Sequence, residues 1–379
     1  MMNRIYLDNA ATTSLDPQVL EAMMPYMTTH FGNPSSIYSY GRESRLAIEN
    51  ARKSVAANLK VSPGEIFFTS GGTESDNMAI HASIFDLGCK HIISSPIEHH
   101  AVLHTIEHFQ KTHAVATSFV KITDNGHVDL SNLEEQLATV GKKCLVSLMH
   151  ANNEIGNLLD LNAVGELCKK YNAILHTDSV QTLGHYQLDL SNKLVHFATG
   201  AGHKFHGPKG VGILYVNDAI KINPVILGGG QERNMRAGTE NLYGIVGFAK
   251  ALELSMQQLE KDTAYISSLK QYMVTALQKE IKGVSFNGDA LGKSLYTVLN
   301  VSFPKTERSE LLLFNLDMKG ICVSGGSACS SGADIGSHVI RALPGANKEA
   351  VPVRFSFSKH NTTSEIDQVI SALKEILAD

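Results

Sequence analysis

Cys144-Leu-Val-Ser-Leu-Met149, Ala163-Val-Gly-Glu-Leu-Cys-Lys-Lys-Tyr171 and Ala173-Ile-Leu-His176 follow one another along the chain. The first and third are short and almost wholly apolar, as strands covered on both faces are. The middle one spaces its apolar residues as an amphipathic helix does. A helix between two such strands carries the chain back for a parallel pairing. The same rhythm runs from about residue 64 to 216. Further strand candidates are Glu65–Thr69, His91–Ser94, Ala116–Val120, Leu194–Ala198 and Val211–Val216, and helix candidates are Ser75–Phe85 and His100–Phe109. The reading is an α/β domain with a largely parallel sheet. Residues 240–282 read as one or two long helices. Residues 284–379 read as shorter strands (Thr297–Ser302, Val353–Ser358) mixed with helices, a second, smaller α+β unit, with the boundary near 250.

A length of 379 residues fits two or three domains. With 43% apolar and 18% charged residues, the composition excludes chain-wide disorder. Lys+Arg 33 against Asp+Glu 37 leaves a net charge of −4, which argues against nucleic acid as a partner and offers no polybasic surface to a membrane. No apolar run approaches the ~18 residues of a membrane span, and Met1 to Thr13 lacks the pattern of a signal peptide. The five cysteines (Cys89, Cys144, Cys168, Cys322, Cys329) are odd in number and form no CxxC pair. A disulfide framework and a structural metal are therefore not expected, and a reducing cytoplasm is.

In an open α/β sheet, ligands collect beyond the carboxyl ends of the strands. Five polar or glycine-rich clusters stand there: Ser70-Gly-Gly-Thr-Glu-Ser75, Pro96-Ile-Glu-His-His100, Ala151-Asn-Asn-Glu154, Thr177-Asp-Ser179 and Gly202-His-Lys204. Their convergence on one rim marks a site. The first, between a strand and a helix, suits phosphate, because glycines turn the backbone and helical N–H groups then face the ligand. Thr73 with Asp76 also resembles a capping box, which would make it a capped helix and nothing more. Asp178 ends a strand and suits a heteroaromatic N–H⁺, a base role, or a plain helix cap. Lys204 suits condensation with a carbonyl or, more plainly, a solvated surface charge. Cys329, in Ser324-Gly-Gly-Ser-Ala-Cys-Ser-Ser-Gly332, suits an accessible thiolate, whereas Cys322 and the other three cysteines read as core. His100, His104 and His108 share a helix face, but no further ligand cluster accompanies them, and no metal is expected. Gly288-Asp-Ala-Leu-Gly-Lys-Ser294 has one residue too few for a P-loop.

Taken in order, further blocks stand with these: Tyr6-Leu-Asp-Asn-Ala-Ala-Thr-Thr13, Phe31-Gly-Asn-Pro-Ser-Ser36, Glu98-His-His-Ala-Val102, Met149-His-Ala-Asn-Asn-Glu-Ile-Gly156, His176-Thr-Asp-Ser-Val-Gln181, Met235-Arg-Ala-Gly-Thr239 and Val353-Arg-Phe-Ser-Phe357. The ordered set resembles the cysteine desulfurases of the NifS/IscS kind, in class V of the aminotransferases that use pyridoxal 5'-phosphate (PLP). The resemblance implies the PLP-dependent transferase fold of type I. Residues 16–250 would form the PLP-binding domain, and 1–15 with 251–379 a small domain carrying the cysteine loop. It implies conversion of L-cysteine to L-alanine, with a persulfide left on Cys329. The acceptor would be a protein such as an iron–sulfur scaffold, and the enzyme a homodimer. Lys204 would hold PLP covalently, Asp178 would pair with the pyridine nitrogen, and His99 would stack on the ring and move protons. Asn153 and Gln181 would bond the ring substituents. Gly72, Thr73, Ala201, Gly202 and His203 would surround the phosphate, with Thr239 reaching it from a second subunit. Asn9, Asn153 and Arg354 would bind the substrate, Arg354 through its carboxylate. Ala201 departs from the family, which usually has serine there. One hydrogen bond to a charged group is lost, worth roughly 1.5–3 kcal/mol, unless Thr199 or a backbone N–H replaces it. The alternatives are a selenocysteine lyase, a class V aminotransferase, or a non-catalytic sulfur-transfer scaffold.

Overall fold

The computed structural model describes residues 4–141, 143–325, 336–347 and 349–378. Its strands are β1 (Ile5–Tyr6), β2 (Ile66–Thr69), β3 (His91–Ser94), β4 (Ala116–Phe119), β5 (Cys144–Ser147), β6 (Ile174–Asp178), β7 (Phe197–Ala201), β8 (Gly212–Val216), β9 (Ser285–Phe286), β10 (Val298–Phe303), β11 (Ile321–Cys322) and β12 (Val351–Ser356). Seven of them make one sheet in the order β2-β8-β7-β6-β5-β3-β4. All pairs are parallel except those that β8 makes with β2 and β7. β5 to β8 are buried along their whole length, which explains their apolar sequences: helices cover both faces.

The seventh element departs from the sequence reading. Leu194–Ala198 was expected as a strand, but β7 covers Phe197–Ala201, three residues later. Leu194 and Val195 satisfy hydrophobic packing instead: Val195 is buried in the main core, and Leu194 sits against Gly165, where a Cβ would approach it to 2.7 Å. The weak strand formers Gly200 and Ala201 are strand residues because they pair with Ile213 and Gly212 of β8, and a Cβ on Gly200 would run into Leu183 at 2.3 Å.

The expected long helical region is two helices, Leu242–Gln257 and Leu259–Glu280, meeting at Gln258. The core changes there. Leu242, Ile245, Phe248 and Leu252 pack with the large sheet, whereas Ile266, Leu269, Met273 and Leu277 pack with β10, β12 and the helix Thr363–Leu377. Ile5 and Leu7 belong to this second core as well. The chain therefore leaves the second core at Leu7 and crosses at Asn9 to Thr13 to the rim of the large sheet. Thr13 N–H and hydroxyl both bond to the His203 carbonyl.

Candidate active site

The parallel strands deliver their carboxyl ends to one rim, and the loops beyond them enclose a cleft of about 260 Å³. Gly72 and Thr73, His99, Asn153, Asp178, Gln181, Ala201, His203, Lys204 and Arg354 all line it. These are most of the residues expected from sequence. Three others lie elsewhere. Asn9 donates its amide to Ser356 O (2.9 Å) and Asn361 Oδ1 (3.3 Å), beside the cleft rather than in it. Gly202 is a buried turn residue whose carbonyl takes the Gly207 N–H (3.0 Å). Thr239 is exposed and faces a separate cleft with Ser70, Arg236 and Asn241. Cys329 lies outside the described residues.

Each wall has a local cause. The helix Gly72–Phe85 begins at Gly71, whose φ of 154° only glycine adopts readily, and no side chain caps it. The capping-box expectation for Thr73 and Asp76 is thus not met. The first N–H groups, which have no acceptor within the helix, open on the cleft at its positive end and suit a dianionic phosphate. On the opposite side, Asp178 caps no helix. Its Oδ1 takes the Val180 N–H (2.8 Å). Burial first, and Asp76 second, push its carboxyl up to about 7. A buried acid so placed gains most from a cation set against it, as a pyridinium N–H⁺ would be. His99 is the N-cap of the helix His100–His113, with Nδ1 accepting the Ala101 N–H (3.1 Å). Burial, then Lys204, lower its imidazolium pKa to about 4. The ring is neutral with its proton on Nε2, a tautomer inferred from that bond.

Lys204 stands on one 3₁₀ turn directly after β7, and Nζ donates to Ala10 O (2.7 Å) and Ala11 O (2.9 Å). Gln181 Nε2 shares Ala10 O at 3.0 Å. Arg354 comes from β12. Its Nη2 donates to Asp8 Oδ1 (2.7 Å) and Nη1 to Asn153 O (2.9 Å), while Nε, buried, has no partner among the described residues.

Two features answer the question raised by Ala201. Thr199 is no substitute for the missing serine, because its hydroxyl lies 3.3 Å from His176 Nε2, inside the sheet. The donors left for phosphate are the helix N–H groups, the Thr73 hydroxyl and His203, whose Nδ1 is 3.1 Å from Thr12 Oγ1. They fit the group without a hydroxyl at 201.

Sequence reasoning missed Asp76, which lines the cleft and is 1% exposed. Its Oδ1 lies 3.3 Å from His176 Nε2 but accepts no hydrogen bond among the described residues. Burial pushes the carboxyl up to about 7 against the lowering pull of the Thr199 hydroxyl. Between pH ~4 and about 7 the folded chain therefore holds a proton that the unfolded chain has released, so stability falls as pH rises across that window. Asp76→Asn removes the effect. Urea unfolding of the cofactor-free protein should show the parent losing on the order of 2–3 kcal/mol more than the variant between pH 5 and pH 8. Parallel pH slopes would rule the buried proton out.

Among the described residues, no group of three His, Cys, Asp or Glu side chains is arranged to hold a metal. His100 instead stacks on His104, with ring centroids 4.8 Å apart.

The aminotransferase class V family matches residues 5–369. The chain is 41% identical to the cysteine desulfurase IscS of Dictyoglomus turgidum, over 100% of this chain and 95% of that protein. Its fold is similar to a solved NifS-like protein (37% identity, TM-score 0.91, 99% of this chain and 100% of the other). It is also similar to a structure described as SspA in complex with cysteine (29% identity, TM-score 0.79, 95% and 100%). Members of this family are PLP-dependent, which agrees with the lysine, carboxylate and phosphate cradle found in the cleft. On its sequence over almost its whole length, and on its fold, the chain belongs to the aminotransferase class V family.

Proposed function

We propose that the protein is a PLP-dependent cysteine desulfurase that converts L-cysteine to L-alanine and passes the sulfur, through a persulfide on Cys329, to an acceptor such as an iron–sulfur scaffold protein. The observation that carries this reading is the meeting of Lys204, Asp178, His99 and Arg354 in one cleft. Bound there, PLP would supply an electron sink for bond cleavage at the substrate. Lys204 would hold it and, once displaced by the substrate amine, move protons from its Nζ. Asp178 would keep the pyridine nitrogen charged. His99, neutral and with Nε2–H free for the cleft, would lie on the ring and receive or deliver a proton there. Gln181 and Asn153 would orient the ring substituents. The substrate carboxylate would compete with Asp8 for the Arg354 fork, whose Nε lacks an acceptor among the described residues.

In the sulfur step, the Cys329 thiolate forms an S–S bond to the substrate sulfur. The substrate C–S bond breaks, its electron pair stays with carbon, and a proton completes alanine. Ser324 is paired with Arg354 on β12, five residues before Cys329. Arg354 itself lines the cleft, and five residues at ~3.3–3.6 Å each reach at most roughly 18 Å from Ser324.

The cofactor domain, read from sequence as residues 16–250, runs on to Gln257, because Leu252 packs with the large sheet, and residues 1–15 with those from Leu259 onward are taken as the second. A homodimer accounts for two observations. Met24, Met27, Phe31, Ile37 and Tyr38 are exposed apolar side chains within one short stretch. Thr239 is turned away from its own cleft.

Replacing Cys329 by alanine should abolish sulfide and persulfide formation while the absorbance of bound PLP stays. Mass spectrometry of the parent after turnover should find added sulfur on the Cys329 peptide. Desulfuration at the parent rate by Cys329→Ala would refute the nucleophile.

A further inference from the structure

Gly228-Gly-Gly230 leads into a turn in which Glu232, Arg233 and Asn234 all have left-handed backbones, with φ of 45°, 57° and 66°. Residues with a Cβ rarely follow one another there, so neighbouring groups must hold the conformation. Glu232 is the anchor. Arg52 forks onto it, Nη1 to Oε2 at 2.8 Å and Nη2 to Oε1 at 2.9 Å, and the Phe68 N–H donates to Oε2 at 2.8 Å. Both side chains of the pair are buried. Phe68 is the third residue of β2, so the anchor ties the turn to the large sheet itself. Downstream, Arg236 forks onto Glu74 (2.9 and 3.2 Å), one residue from the phosphate cradle at Thr73. From residue 235 to 241 the chain has no regular structure, yet it presents Thr239 outward.

We propose that the buried Arg52–Glu232 pair is a positioning device that holds residues 231–239 in the left-handed turn, so that Thr239 meets the cofactor phosphate in a second copy of this chain. The proposal rests on reading the protein as a homodimeric PLP enzyme in which Thr239 of one copy serves the phosphate of the other. A buried ion pair contributes little net stability but fixes geometry when both partners are fully bonded, as these are. Arg52 and Glu232 touch neither substrate nor cofactor in their own chain, so they act only through the turn.

The test is a double-mutant cycle read by PLP affinity, with PLP titrated into the cofactor-free full-length protein and followed by absorbance. Thr239→Ala should weaken PLP about tenfold or more, the loss of one charge-assisted hydrogen bond. Glu232→Gln, which keeps the shape and loses the charge, should weaken it by a similar factor. Combining the two should weaken PLP less than about twofold beyond the larger single effect, because both remove the same contact. Parent-like affinity in Glu232→Gln, or factors that multiply in the double variant, would overturn the proposal while leaving the Thr239 reading in place. A silent Thr239→Ala would sink that reading, and the proposal with it. Should Glu232→Gln fail to fold, Arg52→Lys keeps the charge, loses the fork, and is read in the same cycle.

Discussion

Lys204→Ala should stop turnover. Activity, measured as alanine formed from L-cysteine, is expected to fall by at least about 10³-fold, within the range for removing a proton-transfer group, with loss of the covalent hold added to it. The structural basis is that Lys204 leaves β7 at the strand's carboxyl end. Its Nζ is drawn to the cleft wall by Ala10 O and Ala11 O at 2.7 and 2.9 Å. Those carbonyls come from a segment 194 and 193 residues earlier, crossing from the second core. The amine is therefore placed by tertiary structure and not by its own loop alone. Borohydride reduction followed by digestion gives a direct check: the parent should carry a pyridoxyl adduct on the peptide containing Lys204, and the variant none. An adduct on another lysine, or turnover within tenfold of the parent, would remove Lys204 from the mechanism.

How far the site could be read in advance depends on whether a residue's role is set locally. Asp178 and Lys204 are legible because Asp178 ends an apolar strand and Lys204 stands in the cluster that follows another, and the ends of parallel strands meet at one rim. Asp76 was not legible. Directly after the glycine-rich cluster Ser70–Ser75 it reads as half of a cap, and only the sheet places it against His176 and Thr199. Thr199, one of the two substitutes left open for the missing serine, is ruled out for a related reason. With β7 drawn three residues early, it falls in a loop, free to reach a phosphate. In the structure it lies on the same face as Ala201 but one pleat deeper, about 7 Å down the strand, and bonds to His176. The partners of Arg354 show the same limit. Asp8 and Asn153 are 346 and 201 residues away, and no spacing rule connects them. The fold itself was clearer, because periodicity is local. The shift of β7 arose where two apolar residues, Leu194 and Val195, pack against a helix and the core rather than pairing in the sheet.

The second large effect is expected at Asp178 and separates it from its neighbour Asp76. Both carboxyls are buried in the same cleft, and burial pushes both up to about 7. Their surroundings differ. Asp178 has one oxygen fixed by the Val180 N–H at 2.8 Å, which sets the carboxyl plane and leaves the second oxygen for a ligand. Asp76 lies against His176, whose imidazolium pKa burial lowers to about 4, so no cation stands there at neutral pH. A protonated ring nitrogen brought against Asp178 would restore the ionised carboxylate and make a charge-assisted bond in a medium where such bonds are strong. Asp178→Asn keeps the shape and removes the charge. Bound PLP should persist, since Lys204 and the helix N–H groups still hold it. Turnover at matched occupancy should fall by about 10²–10⁴-fold, because the electron sink weakens when the ring nitrogen is no longer held charged. Asp178→Glu should recover part of the loss, and Asp76→Asn should lose less than about tenfold. Occupancy is read from the absorbance of bound PLP and turnover from alanine formed. Equal losses at the two positions would mean that the carboxylates act as a single unit, and a nearly unaffected Asp178→Asn would place the ring nitrogen elsewhere in the cleft.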